Sequence, residues 1–216
     1  MSLKGSAFLA LWNDIEAPRD GEYNLWHTRE HVPERLTVPG ILSGRRYVDR
    51  EATRHRYFTL YELDSLAVLA SPAYQRIVDN PTPWSLSMRP SFRNFLRYPC
   101  TTTLSLGRGM GGALATFRLG AAPSGIERLF DIAAVVALHL GEADLSQPFP
   151  LQPTQVEDGP RYLLLVEAND HAGLAASLPT ILSAIGEAQA QIYELASAIA
   201  RDDLGGTPAP FTPPNR

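Results

Sequence analysis

The chain has a single cysteine, Cys100, in 216 residues. An internal disulfide is therefore excluded, and with it a small scaffold held together by cross-links. Long apolar runs are missing as well. Residues 7–12 come nearest at the N-terminus, and Asn13-Asp14 ends them. That is too short for a signal-peptide core and far below the roughly 20 residues of a membrane span. A cytoplasmic location without a membrane partner is the expectation. Positive charge is not in excess either, the formal net charge being −4. Binding to a phosphate backbone draws on clustered cations, so nucleic acid is not expected as a partner. One basic cluster exists, Arg45, Arg46, Arg50, Arg54 and Arg56, but Asp49 and Glu51 interrupt it. Mixed signs suit a solvated hairpin tip. The sharper alternative turns one of these arginines inward to hold an anionic substrate group.

What is present is concentrated in residues 25–40, LWHTREHVPERLTVPG, with a Trp, two His, two Glu, an internal Pro and a closing Pro-Gly. At about 100° per residue, Leu25, Arg29, Val32 and Leu36 form one narrow stripe. Tyr23, Trp26, His27, Glu30 and Glu34 fall on the opposite side, flanked by His31. An aliphatic face and a second face of aromatic, imidazole and carboxylate groups are predicted. Pro33 has no N–H for the carbonyl of Arg29, and its ring crowds that carbonyl. Either the helix kinks there, or it ends near His31 and a new turn opens at Pro33. Pro39-Gly40 stops the element.

Along the chain the pattern predicts a strand over 6–13, the helix over 16–37, and strands over 41–49 and 55–63 joined by a polar turn. A helix capped by Asp64-Ser65 and broken at Pro72 follows. Residues 80–83 read as loop. A last strand lies within 92–106, with Pro99 limiting its length or placing it at an edge. This is the β-α-β-β-α-β order of a ferredoxin-like unit. The order then returns: Arg56-Tyr57-Phe58-Thr59-Leu60-Tyr61-Glu62 lines up with Arg161-Tyr162-Leu163-Leu164-Leu165-Val166-Glu167. The second copy is predicted as strand 113–119, helix 125–137, strands 138–143 and 162–168, helix 173–185 and a strand from 187. Gly107, Gly109 and Gly112 match G-x-G-x-x-G in letters but lack the strand-then-helix context of a phosphate loop. The expected organisation is an N-terminal ferredoxin-like unit over 1–107, a divergent second unit over 108–204, and a flexible proline-rich tail over 205–216. Apolar residues at both parities of the strands imply that the second sheet face is buried too. The fold class is therefore α+β, two tandem ferredoxin-like βαββαβ units packed as an intrachain pseudo-dimeric α+β barrel.

Trp26-x4-His31-Val-Pro-Glu-Arg-Leu, Val38-Pro39-Gly40, Arg45-Arg46-Tyr47, Tyr57-x3-Tyr61-Glu62, Ser71-Pro72-Ala73-Tyr74 and Pro81-Thr82-Pro83-Trp84 together resemble the dimeric α+β-barrel superfamily. The EthD-like and stress-responsive barrel branch is the one they are most similar to. The resemblance covers residues 5–100; the second half keeps the strand pattern without a His-rich helix. It implies a pocket between helices and sheet. It also points to a superfamily that includes cofactor-free monooxygenases, lactone isomerases and haem-binding branches. Fold alone does not choose among them.

His31 is the candidate catalytic residue. An imidazole beside a proline-induced break can be held in one tautomer and act as general acid or base on a small carbonyl or phenolic substrate. The alternative is a buried histidine that only closes the helix on a backbone carbonyl. His27 and His31 are spaced i, i+4 and could chelate, but no third ligand stands out, so neither a metal nor any other cofactor is assigned. Tyr23, Trp26, His27, Tyr61 and Trp84 are the candidate binding residues, with Arg46 as the anion partner. His55, His139 and His171 read as structural. The expected function is binding of a small aromatic or carbonyl metabolite in the N-terminal half, with acid/base or oxidative chemistry. The competing class is a non-catalytic carrier or an oligomeric structural protein, and homo-oligomerisation stays open.

Overall fold

The computed structural model describes residues 3–146, 159–186 and 188–205. Its elements in chain order are β1 (Ala7–Ile15), α1 (Asp20–Trp26), α2 (Val32–Leu36), β2 (Ile41–Val48), β3 (Tyr57–Leu63), α3 (Pro72–Asp79), α4 (Pro83–Met88), β4 (Phe92–Gly107), β5 (Ala113–Leu119), β6 (Val135–Ala143), β7 (Tyr162–Ala168), α5 (His171–Ile185) and β8 (Gln189–Ala200). The strands close into a barrel of order β1-β3-β2-β8-β5-β7-β6-β4, antiparallel throughout. The two units sit in equivalent registers: Leu9 faces Tyr61 as Ala115 faces Val166, and Asn13 faces Tyr57 as Leu119 faces Tyr162. The fourth strand of each unit reaches across to the other, β4 onto β6 and β8 onto β2. One chain thus supplies all eight strands and leaves no open edge.

Period-2 alternation sorts side chains between interior and exterior. Phe8, Trp12, Tyr47, Phe58, Tyr98, Leu163, Leu165 and Tyr193 fill the barrel. Toward the ends of β3 and β7 the interior turns polar. Arg45 donates to Glu62 at 2.6 Å and to Glu167 at 2.8 Å, the His139 Nε2–Glu167 distance is 3.2 Å, and the Gly111 N–H donates to Glu167 at 2.8 Å. Such a cluster survives burial because every charge meets its opposite and further hydrogen bonds. The outer face of the second unit is covered by α5 and a 3₁₀ turn (Ile126–Asp131), whose Leu174, Ile181, Ile126 and Leu129 pack on Ala115, Phe117, Leu164 and Val166.

Several local expectations are corrected. The helix over 125–137 shrinks to that 3₁₀ turn, because Gly125 enters left-handed at φ 68° and β-branched Val135 and Val136 join β6. The strand expected from 187 is β8, which runs to Ala200 despite its alanine content. Residues 80–83 are not all loop: Thr82 caps α4 by accepting from the Ser85 N–H, and Pro83 occupies the first turn, where no N–H is needed. Pro99 neither shortens β4 nor lies at an edge; it pairs with Leu9 inside a 16-residue strand. Its carbonyl accepts from Asp144 just past the end of β6, so its missing N–H falls where the β4–β6 ladder stops. The basic hairpin is only partly solvated. Arg50 and Arg54 are exposed, whereas Arg45 and Arg46 are buried on opposite faces of β2. The glycine-rich joint connects strand to strand, and Gly107 sits at φ 91°, where a Cβ would meet the Val136 carbonyl at 2.3 Å. The proline-rich tail lies, after Gly205, outside the described residues. No helix among the described residues is long and apolar enough to cross a membrane.

Candidate functional site

The helix over 20–36 is continuous but not uniform. Between α1 and α2, His27–His31 forms a π turn in which the Val32 N–H reaches back five residues to the His27 carbonyl. The cause is local. An α-helical Pro33 would drive its ring into the Arg29 carbonyl, and one extra residue in the turn widens the backbone there. That residue also shifts the phase of everything downstream by about 100°. Val32 and Leu36 therefore swing round to the side of Tyr23, Trp26 and His27, and all five are buried, Val32 and Leu36 in one core cluster and Tyr23 and Trp26 in another. The two-faced helix read from an ideal wheel is thereby corrected to one mixed buried face, while Arg29, on the expected aliphatic stripe, is exposed.

Under this face lies a cavity of about 90 Å³. Its floor is the outer face of the barrel, where β1 contributes Leu9, Leu11 and Asn13, β3 contributes Thr59 and Tyr61, and β4 contributes Phe95 and Arg97. Register explains the grouping: Thr59, Leu11 and Arg97 form one cross-strand row, and Leu9 lies opposite Tyr61 in the next. The roof is Trp26, His27, His31 and Arg35. Tyr74 and Val78 of α3, Ser85 of α4, and Arg89 close the sides. Trp26 is fixed by its indole N–H donating to Ser85 Oγ at 3.2 Å, and the His31 ring lies 4.4 Å from it, tilted 32°. Gly44 lets α2 approach the sheet this closely; a Cβ there would meet Val32 Cγ1 at 2.6 Å.

Polar atoms converge on this space without protein partners. Nδ1 of His27, Nδ1 of His31, the Tyr61 hydroxyl and one Nη of Arg35 are buried and find no hydrogen-bond partner among the described residues. In native proteins such atoms are few and call for an occupant or a role. Burial, and then the nearby guanidinium charges, hold both imidazoles well below their ordinary pKa: Arg46 and Arg35 act on His27, where charging His31 as well would add repulsion, and Arg35, Arg46 and Arg89 act on His31. Both rings are neutral at pH 7, each with an acceptor and a donor nitrogen. Burial likewise pushes the Tyr61 phenol up, so it stays protonated.

Of the seven residues singled out from sequence, Trp26, His27, His31 and Tyr61 line the cavity, while Tyr23, Arg46 and Trp84 do not. Tyr23 stands behind it. Its hydroxyl donates to Asn13 at 3.0 Å, and burial raises its pKa to about 12. Arg46 is engaged by the helix, donating to Asn24 Oδ1 at 3.0 Å and to Thr28, and stacks over the Tyr23 ring at 5.5 Å. Trp84 ties α4 to α1 through Glu22 at 3.0 Å. The cations at the cavity are instead Arg35, Arg89 and Arg97. Arg35 could have been flagged by its i, i+4 spacing from His31. Arg89 and Arg97 carry no local signal, because only the tertiary fold brings them near.

The second unit has no counterpart to this lining. Asn13, Thr59 and Tyr61 are replaced at equivalent register by Leu119, Leu164 and Val166, all three in an apolar cluster. Among the described residues, no three His, Cys, Asp or Glu side chains gather closely enough to hold a metal ion. A porphyrin does not fit a space of about 90 Å³.

No family model matches the sequence, and no curated protein is detectably similar to it. Solved structures share its architecture. An anthrone oxidase-like protein superposes with a TM-score of 0.59 at 10% identity, covering 93% of this chain and 96% of that one. A candidate monooxygenase from Fusobacterium nucleatum subsp. nucleatum gives 0.57 at 9% identity, covering 91% and 95%. A chlorite dismutase variant from Candidatus Nitrospira defluvii gives 0.52 at 8% identity, covering 93% and 94%. The chain has the dimeric α+β-barrel fold, as its sequence motifs implied. At these identities the likeness is one of fold, and function has to be argued from the site.

Proposed function

We propose that this chain binds a small aromatic or carbonyl metabolite in the cavity beneath the π turn, and that His31 moves a proton on it without an organic cofactor. One observation carries the proposal: apolar walls surround the unpartnered polar atoms of His27, His31 and Tyr61. Polar atoms left unpaired by the fold cost about 1–3 kcal/mol each, and a ligand that pairs them recovers that cost. On this proposal residues 1–107 are the working unit and 108–204 the unit that completes the barrel.

The neutral His31 imidazole accepts the proton of an acidic C–H or phenolic O–H. The ligand becomes an enolate or phenolate, and His31 an imidazolium. The Tyr61 O–H donates to the oxygen that gains charge, and Trp26 and His27 hold the ligand plane. The imidazolium, formed in a desolvated site, returns its proton readily, to the same carbon or to a neighbouring one. Loss of the proton also makes an electron-rich ligand more open to O₂, the oxidative form of the same proposal.

The test is exchange of the α-protons of acetylacetone in D₂O, followed by NMR. Positioned acid/base groups contribute about 10²–10⁴-fold, so His31→Gln is expected to slow enzyme-dependent exchange about 100-fold while thermal stability is kept. Binding with no accelerated exchange would favour a carrier. Unfolding of His31→Gln would favour a histidine that only closes the helix.

A further inference from the structure

Three guanidinium groups line the cavity, Arg35 from α2, Arg89 after α4 and Arg97 from β4, and no aspartate or glutamate does. The chain as a whole is acidic, with 23 acidic against 19 basic residues, so the concentration of one sign in this space is not a reflection of composition. In the barrel interior the buried Arg45 meets two carboxylates, Glu62 and Glu167, within 2.8 Å. At Arg35 the carboxylate within reach is a distant one, Glu34 at 3.8 Å on the same helix. The second Nη of Arg35 is buried without a partner. Arg89 spends one Nη on the Val78 carbonyl at 3.1 Å, which fixes its stem along the cavity wall. The field of these groups is felt inside, since Arg35 and Arg89 both act to lower the pKa of His31.

We infer that the occupant of the cavity is a monoanion, a small carboxylic acid whose carboxylate faces Arg35, Arg89 and Arg97 and whose remaining atoms lie against Trp26 and His31. A carboxylate matches the guanidinium fork in shape and charge, and it pairs the buried Nη of Arg35 without adding a buried unpaired group. This rests on the proposed binding function and narrows it. The anion would also favour the imidazolium form of His31 during proton transfer, because an opposite charge close by stabilises a charged ring.

The experiment is calorimetric titration at pH 7 with two isosteric pairs, acetate against acetamide and benzoate against benzamide, on the wild-type chain and on Arg35→Gln, Arg35→Lys and Arg89→Gln. Arg50→Gln, on the exposed hairpin, is the control. At least one acid is expected to bind ten times or more tighter than its amide. Arg35→Gln and Arg89→Gln should each remove most of that preference; Arg35→Lys should keep part of it, and Arg50→Gln all of it. Equal affinity for acid and amide would overturn the charge assignment and leave the cavity's binding role standing. Heat from neither member of either pair would overturn both. Should Arg35→Gln fail to fold, the acid-to-amide ratio of the wild type and its loss in Arg89→Gln still decide the matter.

Discussion

Lowering the pH from 7 to 5 perturbs the site without touching a covalent bond. His27 and His31 are held neutral, well below their ordinary pKa of 6.5, first by burial and then by cationic neighbours. In the unfolded chain both titrate normally. The unfolded state therefore binds more protons between the ordinary pKa and the lowered one, and stability falls as pH drops through that window and is fully present above it. For one such histidine the loss approaches 1.4 kcal/mol per pH unit once the pH is below the unfolded value. From pH 7 to pH 5 the upper limit for the two rings together is therefore about 4 kcal/mol. That is a large share of the 5–15 kcal/mol typical of a folded domain. The assay is urea unfolding at pH 7, 6 and 5 on the wild type and on His27→Gln/His31→Gln. Carboxylates, and the more weakly shifted His55, contribute equally to both proteins, so the difference in pH slope isolates the two rings. The double variant should be flatter over the range, by up to about 4 kcal/mol. Parallel curves would refute the claim that the rings are buried and neutral, and with it the base assigned to His31.

Other perturbations separate cavity from scaffold. Glu167→Ala leaves Arg45 and His139 without the carboxylate they share and should cost about 3–5 kcal/mol in urea unfolding; a loss under 1 kcal/mol would mean that the barrel's polar cluster is incidental. Tyr61→Phe removes a buried hydroxyl that has no partner, so its stability should change by less than about 1 kcal/mol while affinity for the acids of the titration falls. A substantial loss of stability would show that the hydroxyl is bonded within the fold. Gly44→Ala forces Val32 off the sheet and should destabilise by about 1–3 kcal/mol, with weaker ligand binding as α2 lifts. Unchanged melting and affinity would show that the helix has room to spare.

The barrel was legible because strands announce themselves by period 2, and because the stretch through Tyr57–Glu62 recurs at Tyr162–Glu167 in the same register. Trp26, His27, His31 and Tyr61 were legible as a group, since three share one helix and the fourth lies on the strand pair beneath it. The π turn was not. A helical wheel assumes one angle per residue, and Pro33 is accommodated by breaking that assumption upstream, which moved Val32 and Leu36 to a face they did not appear to share. Helix α4 was hidden by Pro81-Thr82-Pro83, letters that suit a loop as well as a capped helix start. Arg35, Arg89 and Arg97 come from three elements, and no local rule predicts that they point into one space. Arg46, the arginine favoured from sequence, was the less informative one: its buried position reflects packing under α1 through Asn24 and Thr28.

The cavity beneath the π turn is most directly tested by a two-dimensional NMR titration with benzoate, following the Trp26 indole N–H and the His31 ring resonances. Saturable shifts at Trp26, His31 and Tyr61, with the second unit around Leu164 and Val166 silent, are the predicted result. Shifts spread over both units, or none at these three residues, would contradict it.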